Sequence, residues 1–248
     1  MMWMVSVHLL GLLIGMTGPF VSAGSGTRGG IVTYVQGSVV KQKLDDSKWS
    51  NVPENSAVVG GERIRTLIRS RAELSLAELD RIRMAPKTTI DVLKLYEETE
   101  ELTRESKISL KEGDLWANVA AKPESVIFSI GTPLAAAAIT GTTLRMTVNQ
   151  DSSAELRVYS GEVALSRTLS RREPESRSLE PHEIEGPHEI PGPHEVSMEQ
   201  WMLIVRPMHK VAINRRGEVV SSTSFSRGDP EEQNEWVQWN LVRDAEFD

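Results

Sequence analysis

Three of the five histidines lie in one six-residue repeat: Pro181-His182-Glu183-Ile184, Pro187-His188-Glu189-Ile190 and Pro193-His194-Glu195-Val196. Imidazole beside carboxylate is a donor set that zinc, nickel and copper accept. His182, His188 and His194 are therefore the candidate metal ligands of this chain. Geometry works against one shared ion. The helical zinc-protease pattern needs two histidines four residues apart on one helix, and the prolines and glycines here forbid that helix. In extended polyproline geometry, six residues at about 3.1 Å each separate successive imidazoles by about 19 Å. Binding one ion at ~2.0–2.1 Å from each nitrogen would need sharp turns at Gly186 and Gly192. The preferred reading is a semi-rigid spacer whose Ile184, Ile190 and Val196 dock at intervals on a neighbouring body. A metal-binding periplasmic protein built on the repeat is the alternative.

Other reactive chemistry leaves little trace. With no cysteine, there is no thiol nucleophile, disulfide or lipid-modified cysteine. Outside the repeat the histidines are His8 and His209. No Gly-x-Ser-x-Gly elbow or phosphate loop occurs. A glycosidase carboxylate pair needs no local motif and stays open on sequence alone. The expectation is a non-enzyme, with no catalytic residue and no cofactor assigned.

Charge and length bound the rest. The net charge of -7, with no cluster of Lys or Arg, argues against nucleic acid, whose binding rests on clustered cations releasing counterions. A chain of 248 residues holds one medium domain with appendages or two small ones. From Met1 to Ala23 there is no charged residue; an apolar run through Leu9-Leu10-Gly11-Leu12-Leu13-Ile14 leads to Val21-Ser22-Ala23. This has the shape of a cleaved secretory signal, or of an uncleaved anchor, which needs about 20 apolar residues. Either places the remainder outside the cytoplasm, in the periplasm or beyond. No later stretch is expected to cross a bilayer.

The elements between residues 29 and 167 read as short strands. Ala72, Leu74 and Leu76 alternate with Glu73 and Ser75; Ile82 and Met84 alternate with Arg81 and Arg83; Leu144, Met146 and Val148 alternate with Arg145 and Thr147; Leu156 and Val158 alternate with Arg157 and Tyr159. A period of two puts one face on a core and the other in water. Gly61-Glu62, Gly113-Asp114 and Gly161-Glu162 each precede an apolar-alternating piece, as glycines would where positive φ lets the chain reverse. The predicted class is all-β, a short-strand sandwich or an irregular β-helix. Glu97–Lys107 reads as a solvated excursion with helical propensity. Residues 168–196 form the Pro-rich spacer. In 197–248, Ser197 and Gln200 cap a helix bearing Met198, Trp201, Met202 and Val205 on one face. A hairpin follows, turning at Asn214–Gly217. Asp229-Pro230-Glu231-Glu232 then starts an acidic terminal helix that either docks a partner through its tryptophans or folds back on its own body.

The order of motifs carries a resemblance. Trp49, Gly61 through Thr66, Ser70 through Leu74, Gly113-Asp114, Thr132-Pro133, Gly141-Thr142 and Gly161-Glu162-Val163 occur in the order seen in the FecR-type periplasmic domain, which the chain resembles over roughly residues 30–167, something over half of its length. The resemblance implies a non-enzymatic all-β binding domain. Relatives of that kind relay a receptor's ligand state to a cytoplasmic sigma-factor system, using a cytoplasmic segment, one membrane span and a receptor-docking domain that this chain does not display. It therefore implies an exported, stand-alone envelope interaction or signalling-type module. Its expected partner is an unknown envelope protein or cell-wall component, with neither nucleic acid nor a membrane span involved.

Overall fold

The computed structural model describes residues 29–76, 80–99, 103–168 and 202–246. The expected signal segment and the Pro-His-Glu repeat, with His182, His188 and His194, lie outside the described residues. Seven short strands come first: β1 (Gly30–Gln36), β2 (Val39–Lys43), β3 (Ser50–Asn51), β4 (Ala57–Val58), β5 (Glu62–Thr66), β6 (Arg71–Ser75) and β7 (Arg81–Met84). Longer ones follow: β8 (Thr89–Glu98), β9 (Arg104–Val119), β10 (Val126–Gly131), β11 (Ala135–Val148) and β12 (Ala154–Arg167). After the undescribed stretch come β13 (Met202–Val205), β14 (His209–Ile213) and β15 (Val219–Ser224), a 3-10 turn at Pro230–Glu232, and helix α1 (Glu235–Ala245). The fold is all-β. All 15 strands join one continuous sheet. Its pairings are antiparallel apart from β9 with β10.

The alternation explains the core. Ala72, Leu74, Ile82, Met84, Leu115, Ala117, Leu144, Met146, Leu156 and Val158 all point to one side and are buried there. In β1 the inward residue is Val32, while Ile31 stays exposed.

The glycines do something other than predicted. Gly61 sits in a turn at φ +83°. Gly113 (φ +102°) and Gly161 (φ +74°) instead lie inside β9 and β12, and Gly141 (φ +57°) lies inside β11. At each, a long strand changes partners rather than reversing. Before Gly113, β9 pairs with β8 and β10; from Gly113 onward it pairs with β7 and β11. The need for a pivot is geometric. Arg104 and Val119 would be about 50 Å apart in a straight strand, yet Val126 pairs beside Arg104. The seven peptide steps from Val119 to Val126 reach at most about 25 Å. The strand must therefore bend in its middle, where only glycine takes such a φ without strain.

Two further expectations are corrected. Glu97–Lys107 is neither an excursion nor a helix at its described ends, because β8 and β9 run through Glu98 and from Arg104. Cross-strand pairing explains this: Lys94 Nζ lies 2.7 Å from Glu105 Oε2, and Leu95 and Tyr96 are buried. Met202–Val205, predicted as the end of a helix, is strand β13, laddered on β12 from Val205↔Val163 to Met202↔Ser166. The open edge of β12 supplies hydrogen bonds, and the run suits a pleat, with Val205 buried and Met202 and Ile204 exposed. The hairpin turns at Asn214–Gly217 with Gly217 at φ +76°. Strands from the tail thus complete the same sheet.

Candidate interaction site

Part of the second face of the sheet is covered rather than in water. Registers place Tyr34 opposite Glu73, Glu73 opposite Arg83, and Arg83 opposite Trp116. The row continues through Arg145, Arg157 and Lys210. Directly opposed residues share a face, so one line of side chains crosses seven strands. Helix α1 lies over it. Asn234 caps the helix, its Oδ1 accepting from Val237 N at 3.0 Å. A second cluster of Trp116, Tyr159, Phe225, Trp236 and Val237 fills the space beneath.

Most of this contact is ionic. Arg83, fully buried, donates from Nε to Glu73 Oε2 and from Nη1 to Asp244 Oδ1, both at 2.6 Å. Its Nη2 finds no oxygen, while its Cζ stands 5.9 Å from the Trp239 ring. Arg243 closes on Glu73 with two bonds of 3.0 Å. Trp116 Nε1 donates to Asp244 Oδ2 at 2.9 Å, and Trp236 Nε1 to Asp114 Oδ1 at 3.0 Å. At the other end, Arg157 grips Glu232 and Glu231, Tyr159 donates to Glu232, and Lys210 reaches Glu231. An acidic segment therefore lies along a largely basic row, with Glu73 and Arg243 reversing the polarity at one end. Each buried charge has a partner, without which burial would be costly.

Burial pushes the Glu73 carboxyl up, but hydrogen bonds from Arg243, Arg83 and Thr33 outweigh it and hold it at about 2. Burial and the Glu232 partner push the Tyr159 phenol up. The folded value of Glu73 is depressed, so its contribution is present above the ordinary carboxylate range and is lost as pH falls toward about 2. Acid titration followed by tryptophan fluorescence is expected to show α1 releasing between about pH 4.5 and 2, with Glu73→Gln removing that transition. A pH-independent signal over this range would contradict the arrangement.

His209 Nδ1 lies 3.0 Å from the Pro207 carbonyl oxygen. Among the described residues no group of three or more His, Cys, Asp or Glu could hold a metal. Asp80, the carboxylate that burial pushes up, is held by Lys122, Tyr96 and the Ala120 amide. The row beneath α1 was missed on sequence, where Glu73, Arg83, Arg145 and Arg157 were placed on the water side of their strands. The available signal was charge complementarity between those cations and the acidic terminal segment.

A model of the FecR protein family matches residues 62–164. Over this stretch the chain is similar to the FecR domain. That stretch runs from β5 through most of β12 and supplies Glu73, Arg83, Trp116, Arg145 and Arg157 of the row. Helix α1, β1–β4 and β13–β15 lie outside it, so the face of the matched stretch is covered by chain from beyond the match. No curated protein matches the chain. Two crystal structures of a Parabacteroides distasonis protein, designated provisionally an anti-sigma factor, are similar at 16% identity. Their TM-scores are 0.44 and 0.43; 65% of this chain is covered, and it spans 59% of the length of theirs. Among the described residues no helix is long and apolar enough to cross a membrane.

Proposed function

We propose that this chain is an exported, non-enzymatic interaction module of the bacterial envelope, of signalling type, in which the FecR-like domain is a rigid scaffold. The observation that carries the reading is the FecR-like stretch itself, with its ionisable face consumed by α1 rather than arranged around a substrate. Where chemistry needs a perturbed group poised in a cleft, Glu73 and Asp80 are locked by cations. The division into a signal (1–23), a β body (29–167), a spacer (168–196) and a tail (197–248) belongs to the same reading. The tail serves to lock the body, and the exposed sheet edges and loops serve to meet a partner. The partner is an envelope protein or cell-wall component, and the place of action is the periplasm or beyond.

The test is in-cell photo-crosslinking from exposed positions such as Ile68 and Val220, combined with fractionation. Discrete crosslinks to envelope proteins from an exported chain are expected. A chain retained in the cytoplasm, or crosslinked to nothing above background from either position, would refute the proposal.

A further inference from the structure

A cavity lies away from the α1 contact, at the loop end of the stacked strands. It holds about 720 Å³, within the range of small-ligand sites. Its walls include Arg65, Leu67, Ile68, Arg69, Ser70 and Lys87, none of which takes part in the ionic row. Three cations face it against one lining carboxylate, Glu112, in a protein of net charge -7. Arg65 is oriented: its Nε donates to Thr89 Oγ1 at 3.1 Å and its Cζ stands 4.7 Å from the Trp49 ring. Among the described residues no carboxylate pairs with Arg65, Arg69 or Lys87.

The backbone here is strained. Arg69 and Lys87 both stand at φ +57°, a left-handed conformation that costs a non-glycine residue free energy and clusters at functional sites. The loops are held by Leu67 N to Ser38 O, Lys87 N to Leu67 O, and Ser38 N to Ser70 Oγ. Gly37 packs so close that an added Cβ would lie 2.5 Å from Ser70 Oγ. Two cations are thus presented on rigid turns beside apolar side chains left in water, Leu67 at 40% and Ile68 at 68% exposure.

We propose that this cavity binds an acidic, extended peptide segment of a partner protein. Its carboxylates would meet Arg65, Arg69 and Lys87, and an apolar side chain would cover Leu67 and Ile68. Apolar groups directly beside the cations favour a polypeptide of alternating acidic and apolar residues over an anionic polysaccharide, which has nothing to place on Ile68. The inference rests on the binding-module reading and names the partner's chemistry.

The test is fluorescence anisotropy on the full chain with a labelled Glu-Leu alternating peptide of roughly eight residues, its Gln-Leu counterpart, and labelled polygalacturonate. The variants are Arg69→Asn with Lys87→Asn, since Asn tolerates the left-handed backbone, Ile68→Ser, and Arg215→Asn as a distant control, each checked for an unchanged thermal midpoint. Saturable Glu-Leu binding is expected, about tenfold weaker in the double Asn variant, weaker in Ile68→Ser, unchanged in the control, and weakened by salt. Equal affinity in the double variant, equal binding of Gln-Leu, or binding of polygalacturonate alone would overturn the site. Should the peptide fail while in-cell crosslinks persist, the cavity assignment falls and the module reading stands. Peptide bound at the cavity without any in-cell crosslink would overturn the module reading and leave the site.

Discussion

Replacing Arg83 by methionine is expected to cost about 3–5 kcal/mol of stability, because it strips a partner from two buried carboxylates at once. Methionine fills much of the same space, so the loss reports charge rather than a cavity. Glu73 keeps Arg243 and Thr33, and Asp244 keeps the Trp116 indole, which sets the upper bound. For a body of this size each kcal/mol moves the thermal midpoint by about 2–4 °C, so a fall of roughly 10 °C follows. Tryptophan emission should shift as well, since the same contact buries Trp116 and Trp236. Arg243→Met, at the more exposed end of Glu73, is expected to cost less. The double variant Arg83→Met, Asp244→Asn should restore part of the loss, because Asp244, the carboxylate left without a cation, is then neutral. A single-variant loss below about 1 kcal/mol would mean that the burial of Arg83 contributes little to holding α1.

The second large effect is expected at Gly113. Gly113→Ala places a methyl group 2.5 Å from Thr88 Cα at a residue whose φ is +102°. Backbone strain of about 1–3 kcal/mol and overpacking of a similar size add to a loss of about 3 kcal/mol or more, read by urea denaturation. Gly61→Ala separates the two terms. Gly61 stands at φ +83° with nothing within 4 Å of an added Cβ, so it should lose only the strain, about 1 kcal/mol. Equal losses at the two positions would remove the steric pivot from the account of how β9 bends.

These two variants mark where local reading succeeds and where it stops. Strand identity was legible in the alternation of Leu74, Ile82, Met84, Leu144 and Leu156, because a pleated strand sends successive side chains to opposite faces. The glycines were legible as positions of positive φ, but not as pivots, since Gly113 and Gly161 bend strands whose partners change there. Met202–Val205 carries both a helical face and a strand-like run, and a free edge on β12 settled it. Propensity is a weak prior against such a ladder.

By itself, the sequence determined an all-β body, the order of motifs shared with the FecR domain, the turn at Asn214–Gly217 and an acidic terminal helix. Each rests on residues a few positions apart, where backbone sterics and side-chain period act directly. Only the tertiary structure decided that the water side of Glu73, Arg83 and Arg157 is closed by that helix. Arg83 and Asp244 are 161 residues apart, and no periodicity reports which of two polar surfaces will meet. That choice depends on complementary charges brought together once the sheet has formed, and on tryptophans that the new contact can bury.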